Sequence, residues 1–285
     1  MLPYWNPYNE DGSLASTNDG TWKGSGVNPI EWLTNNPITY KTYKVISSVF
    51  AEVTPIEGLT IRSQFGVDYS HDTAFSTSTP SYSLNAGLGS AGRSSLDNLT
   101  LTITNTVNYH FNLKNRHDFN FMLGQEGVNY HSENFNVTTS KQNNDALVNL
   151  SSGSFAGSWG DSTTEYAFLS FFGRGEYNLD GKYYADFSVR ADASSRFSPD
   201  NRWGYFPSVA AAWRVNEEAF LSNFKALSDL KLRLSYGQTG QQSIGSYYQH
   251  LPTYTASYDE SRYYFGDQWY TTYRPNGYDA NIKWE

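Results

Sequence analysis

The chain has no cysteine. That excludes a disulfide framework, a thiolate zinc site and a cysteine nucleophile; it suits an oxidising compartment without establishing one. Charge is also scarce. Charged residues make up 17% of the chain, against roughly 25% in ordinary soluble domains. The formal net charge of −8 gives no basic patch to neutralise phosphates, so no nucleic-acid partner is expected. No run approaches the roughly 20 consecutive apolar residues of a transmembrane helix, an absence that says nothing against membrane strands, whose hydropathy signal is weak. Met1-Leu2-Pro3-Tyr4-Trp5 lacks the charged region and apolar run of a signal peptide, so Met1 reads as an internal start or the start of an excised piece.

What the chain has instead is rings: 23 Tyr, 17 Phe and 8 Trp, within a hydrophobic share of only 38%. Modest apolar content concentrated in aromatics is the composition of a membrane β-barrel, in which one face of each strand is apolar and aromatic girdles mark both interfaces. The patterning agrees. Residues 99–113 read Leu-Thr-Leu-Thr-Ile-Thr-Asn-Thr-Val-Asn-Tyr-His-Phe-Asn-Leu, with every odd position apolar except Asn105 and every even one Thr, Asn or His. Only a strand sorts these residues onto two faces; a helix would scatter Leu99, Leu101, Ile103 and Val107. The stretch exceeds the roughly 9–11 residues needed to span a bilayer. Further strands are expected at 43–53, 59–70, 119–131, 165–178, 183–197, 205–215 and 230–238, about eight in all.

The connections alternate. Short turns fall at Thr54–Gly58, Lys114–Arg116 and Leu179–Lys182, the last with the hairpin signal Asp180-Gly181. Long segments rich in Ser, Thr, Asn, Gly and Tyr fall at 71–98, 132–164 and 239–277, with a shorter one at 198–204. Short turns on one side and long loops on the other match periplasmic turns and extracellular loops. Residues 1–42 are read as an extracellular loop region and 43–285 as a partial barrel. Asn216-Glu217-Glu218-Ala219-Phe220-Leu221 is expected to form one helical turn, capped by Asn216 with carboxylates in its first turn.

Catalytic and metal patterns are missing. His71, His110, His117, His131 and His250 do not pair at metal spacing, and His110 sits among polar strand positions that would face a lumen. Gly173-Arg174-Gly175 lacks the third glycine and helix of a dinucleotide site. No Gly-x-Ser-x-Gly elbow occurs. Neither cofactor nor enzymatic activity is expected. Asp192, Arg196, Asp200 and Arg202 suggest loop-ordering salt bridges, or a calcium site if denser oxygen ligands joined them.

Three stretches resemble the SusC/RagA-like TonB-linked outer-membrane transporters. The first runs from Ser194 through Ser195, Arg196, Phe197, Asn201, Arg202, Trp203, Gly204, Tyr205 and Pro207 to Trp213. The second is Leu230-Lys231-Leu232-Arg233-Leu234-Ser235-Tyr236-Gly237-Gln238-Thr239-Gly240, where Gln241-Gln242 follows in place of an Asn-rich pair. The third is Asn281-Ile282-Lys283-Trp284-Glu285. The resemblance implies a 22-stranded barrel in the outer membrane of a Gram-negative bacterium, with a plug, signal sequence and final strands outside this chain. It also implies energy from TonB through that N-terminal part, a SusD-like surface lipoprotein, lipid contact, and import of oligosaccharides or peptides.

The loop aromatics are candidates for binding. Tyr247, Tyr248, Tyr254, Tyr258, Tyr263, Tyr264, Phe265, Trp269, Tyr270 and Tyr273 offer stacking area with a polar handle. They either grip a sugar or a partner, or pack the loop onto itself. The rival to the barrel as a whole is a soluble or surface β-rich glycan-binding module or adhesin. Its strands would be shorter and packed in two layers.

Overall fold

The computed structural model describes residues 5–221 and 227–285, with the backbone alone for Ser83 and residues 256–261. Two compact units divide it. The first holds Met1–Val45, Asp68–Leu99 and His131–Thr164; the second holds Ile46–Val67, Thr100–Tyr130 and Glu165–Glu285.

The strands are long because the sequence gives them two-sided ribbons and sharp turns. β1 (Ile38–Ile56), β2 (Leu59–Ser78), β3 (Ser90–Leu113), β4 (His117–Gln142), β5 (Gly153–Leu179), β6 (Tyr183–Ser194), β7 (Trp203–Arg214) and β8 (Lys231–Gly237) form one antiparallel sheet in chain order. β9 (Tyr254–Phe265) and β10 (Gln268–Pro275) form a separate hairpin. The turns expected from the sequence are there. Lys114 and Asn115 both take positive φ (56° each), and Asp180 (52°) precedes Gly181 (70°), the left-handed pair that matches the strands' own twist.

Register in the second unit fixes which side chains share a face. Ala193 lies opposite Trp203, Val189 opposite Pro207 and Phe187 opposite Val209; Val209 lies opposite Tyr236 and Trp213 opposite Leu232. Along β7 one face therefore carries Trp203, Tyr205, Pro207, Val209, Ala211 and Trp213. Side chains on this face are exposed: Phe187 57%, Tyr205 66%, Val209 51% and Leu234 78%. Tryptophan closes both ends of the row. Trp203 stacks on Phe171 at 6.2 Å, and Trp213 on Tyr183 at 6.5 Å. At roughly 3.3 Å per residue and a tilt of about 40°, the rise from Trp203 to Trp213 is about 25 Å, the height of a barrel's lipid-facing band. Ile103 (44%) and Val107 (41%) are exposed in the same way, and Asn105, the exception among them, donates to Gln125 Oε1 at 2.8 Å. Among the described residues the buried apolar side chains are few: Ala15, Trp22, Tyr82, Ala91, Phe197 and Val215.

The structure corrects two expectations. First, residues 71–98 and 132–164 are not long loops. β2, β3, β4 and β5 continue through most of them, because Ser, Thr and Asn pair as strands when both faces are polar, and period-two hydrophobicity is silent there. The segment 239–277 likewise contains the β9–β10 hairpin. Second, Asn216 is not a helix cap. A 3-10 turn covers Val215–Glu217, with Arg214 at its N-cap, because β7 stays paired through Arg214 to Lys231. Asn216 Oδ1 instead accepts from Leu230 N at 3.0 Å; residues 222–226 lie outside the described ones. The helix α1 (Pro29–Asn35) is capped by Asn28, whose side chain accepts from Ile30 N, and buried Glu31 accepts from Ser16 Oγ at 2.5 Å and Thr17 N at 2.8 Å.

One turn-to-turn contact gives a pH test. Arg116 donates to Asp180 through Nε at 2.8 Å and through Nη2 at 2.7 Å. This bidentate donation holds the Asp180 carboxyl below its ordinary range. A lowered folded value means that the pair stabilises the fold above the unfolded carboxyl's range and is lost as pH falls through it. Asp180→Asn keeps the left-handed turn geometry and removes the charge. Thermal unfolding of the variant in detergent should therefore lose part of the wild type's decline below about pH 4.

Candidate functional site

The other face of the sheet is charged and paired. Arg190 donates to Asp192 Oδ1 at 2.7 Å, to Glu126 Oε1 at 3.0 Å and to Ser170 Oγ at 2.8 Å. Its guanidinium also lies 5.4 Å from the centre of the Phe172 ring. Ser170 is fully buried and Asp192 nearly so. Lower on the same face, Arg174 bridges Asp186 at 2.6 Å and Glu176 at 2.7 Å, and His110 Nε2 lies 2.6 Å from Asp118 Oδ1. These groups edge a groove of about 740 Å³ whose floor is Ala210, Ala212 and Ser235. Strand alternation alone puts Arg190 and Asp192 on one face as i, i+2 neighbours. That pairing overturns the expected salt-bridge network: Asp192 serves Arg190, while Arg196 and Arg202 turn elsewhere.

The three motif stretches meet around Trp284. Its Nε1 donates to Arg202 O at 2.8 Å, and its ring lies 5.1 Å from Phe197, 5.3 Å from Phe206 and 6.2 Å from Phe168. Phe197 is fully buried. Gly204 and Gly240 are the residues that let these rings in. A Cβ on Gly204 would sit 2.6 Å from Phe206 Cζ and 2.9 Å from Trp284 Cγ; one on Gly240 would strike the Phe206 ring. Around this knot, Ala167 N donates to Ser195 Oγ at 2.9 Å, Asn201 N to Ser198 O at 3.0 Å, and Gln238 N to Pro207 O at 3.0 Å. Gly237 faces Ser208. Trp203 and Tyr205 belong to the exposed apolar face, so the motif is divided between both sides of the wall.

Arg196 stands at the edge of the knot. Its guanidinium lies 4.2 Å from the Tyr166 ring and 4.4 Å from the Tyr247 ring. Tyr247 stacks on Tyr166 at 5.5 Å and on Tyr130 at 6.3 Å. Glu165 N donates to Tyr248 OH at 2.9 Å, and His250 Nδ1 lies 3.0 Å from Arg196 O. The expected aromatic group is thus split. Tyr247 and Tyr248 are tied to the wall, while Tyr263 stacks on Tyr270 at 5.3 Å and Tyr264 lies 5.3 Å from Trp269 within the hairpin. Across the hairpin Trp269 is opposite Tyr264, and Tyr270 opposite Tyr263, so rings occupy both of its faces. They stay open: Tyr263 52%, Tyr264 57%, Phe265 71%, Trp269 64%, Tyr270 40%, and Tyr254 and Tyr273 with them. The side chain of Tyr258 lies outside the described residues. Tyr130 and Tyr166 carry no signal in the sequence beyond the alternation of their strands, which places them on the polar face with Phe206 of the first family-like stretch; nothing local marks their convergence.

A sheet with an aromatic-bounded apolar face backed by a charged one is the wall of a membrane β-barrel. The chain belongs to the TonB-dependent receptor family: residues 2–285 match its description, "TonB dependent receptor-like, beta-barrel". The likeness is to the SusC/RagA-like branch. TonB-dependent receptor SusC of Bacteroides thetaiotaomicron is 40% identical over 173 residues, covering 59% of this chain and 16% of that protein. TonB-dependent receptor P26 of Formosa agariphila is 31% identical over 267 residues, covering 86% of this chain and 25% of that protein. A structure of the RagAB peptide transporter superposes over the whole chain with a TM-score of 0.81 at 29% identity, covering 31% of that chain. The chain therefore spans a quarter or less of these two curated relatives.

The two aromatic settings should respond differently. Trp284→Ala in the full-length receptor should cost on the order of 2 kcal/mol, about half the price of a fully buried tryptophan, whereas Trp269→Ala on the open hairpin should stay within about 0.5 kcal/mol. Unfolding in detergent monitored by circular dichroism compares them, and equal losses would mean that the knot is not a packing centre.

Proposed function

We propose that this chain forms part of the barrel wall of an outer-membrane active transporter that takes up oligosaccharides or peptides. The barrel would be 22-stranded, with residues 1–42 as an extracellular loop region and 43–285 as wall, energised by TonB through a segment outside this stretch and served by a SusD-like surface lipoprotein. Its role is passage rather than catalysis. The observation that carries the reading is the belt between Trp203 and Trp213, with ion pairs behind it. Greasy side chains toward acyl tails and paired charges toward water make a sheet that sits in a bilayer and lines an aqueous lumen. The likeness to the RagAB peptide transporter supports the peptide class; the oligosaccharide class is what the SusC/RagA-like resemblance implies. The exposed rings Tyr263, Tyr264, Trp269 and Tyr270, with Tyr247 and Tyr248 nearer the wall, are proposed to contact substrate or lipoprotein, since amphipathic rings stack on sugar faces and peptide groups alike.

Two experiments test this. In the full-length receptor, Ile103→Arg should cost roughly 2–4 kcal/mol if its side chain meets lipid near the midplane, while Thr104→Arg should be milder. Outer-membrane yield and unfolding in detergent read the difference, and equal tolerance would overturn the lipid assignment. Replacing Tyr263, Tyr264 and Trp269 together by Ala should weaken capture of the lipoprotein or of substrate by about tenfold or more, given about 1–2 kcal/mol for such ring contacts. Unchanged affinity for both would remove the binding role.

A further inference from the structure

The segment after β8 does not stand clear of the wall: its root, Gln238 to Gln241, is held by backbone hydrogen bonds and by the Trp284 knot, and beyond that root it gathers around one guanidinium. Tyr130 and Tyr166 lie on the polar face, in step with Glu126 and Ser170 along their strands. Tyr247 covers them, stacked at 5.5 Å on Tyr166 and 6.3 Å on Tyr130. Arg196 touches both tyrosine faces, at 4.2 and 4.4 Å, and its Nη1 donates to Gln242 O at 3.4 Å, just past that root. Tyr248 adds one hydrogen bond, accepting from Glu165 N. Every one of these contacts is a side chain against a ring or a single backbone group. None is a strand ladder.

The fastening is also incomplete. Among the described residues, Arg196 Nε and Gln242 Oε1 are both buried without a hydrogen-bond partner. A buried donor and a buried acceptor left unmade both disfavour the closed arrangement, and both regain water when the segment lifts. Stacking and cation–π attraction hold the segment down, while two orphaned polar atoms push the other way. That balance belongs to a contact that opens, not to a permanent core.

We infer that Arg196 is a positioning residue, a latch that holds the segment 242–253 against the polar wall and keeps the Tyr130–Tyr166 platform covered, and that its release uncovers those rings to the lumen. The consequence for passage rests on the transporter reading; the latch itself does not. The hairpin β9–β10 follows this segment directly, so the latch also sets where the exposed rings of that hairpin begin.

The test uses the full-length receptor in detergent, with any cysteine outside this stretch changed to serine. Tyr130→Cys reports on the covered platform. Ser188→Cys, on the polar face of β6 away from the segment, reports on the wall at large. A maleimide labels each in the presence of Arg196, Arg196→Gln or Arg196→Lys. Arg196→Gln should speed labelling at position 130 by about tenfold relative to position 188, and Arg196→Lys, which keeps a cation but loses the planar stack, should give a smaller rise. An unchanged ratio would overturn the latch. So would equal acceleration at both positions, which would mark general loosening of the wall. Either failure leaves the bilayer test at Ile103 and Thr104 untouched, so the two ideas fall separately.

Discussion

A strand that crosses a bilayer must have every backbone N–H and C=O satisfied by its neighbours, because hydrocarbon offers no partner. The rest of this molecule follows from that constraint. It forces unbroken antiparallel pairing, and pairing forces strict alternation of side chains between two faces. The apolar residues are accordingly not gathered into a centre but spread over one exposed face, as Leu234, Tyr205 and Val209 are. A soluble sheet with these exposures would be an aggregation surface; between two aromatic girdles it is an anchor.

Interface chemistry is handled by the same few groups. At the short-turn end, Glu218 accepts from the Tyr183 hydroxyl and, at 3.1 Å, from Trp213 Nε1. These donations hold its carboxyl below the ordinary range. The two girdle rings that stack on each other are thereby given a polar tether. Amphipathic rings favour an interface because one end is apolar and the other wet, and here the wet end has a named partner. On the opposite face, charges are kept in pairs, Arg190 with Glu126 and Asp192, Arg174 with Asp186 and Glu176. An unpaired charge against a wall of low dielectric would be costly.

The segments beyond the girdles follow different rules. There the strands are continued largely by Ser, Thr and Asn, with no apolar face. The small knot of Phe197, Phe206, Trp284, Gly204 and Gly240 ties the chain after β8 to the turn after β6 by ring packing and by the Trp284 hydrogen bond to Arg202 O. Glycine is required at two points because the rings occupy the space a side chain would take. This is where the three family-like stretches, far apart in the chain, become one object.

Periodicity set the architecture wherever it carried information. Residues 99–113 and 230–238 declared two faces, Asp180-Gly181 and Lys114-Asn115 declared hairpins, and the shortage of charge declared a surface not meant for water. It could not mark the strand extensions at 71–78, 90–98, 132–142 and 153–164, since a strand with two polar faces has no hydrophobic period. Nor could it divide the loop tyrosines. Tyr247 and Tyr263 look alike in the chain, yet one is stacked on Tyr166 beside Arg196 and the other stands open on a hairpin. That difference rests on contacts between residues separated by tens of positions, and the same is true of Trp284 finding Phe197 and of Asp192 choosing Arg190 over Arg196. Local pattern fixes which face a side chain takes; only the packed chain decides what that face meets.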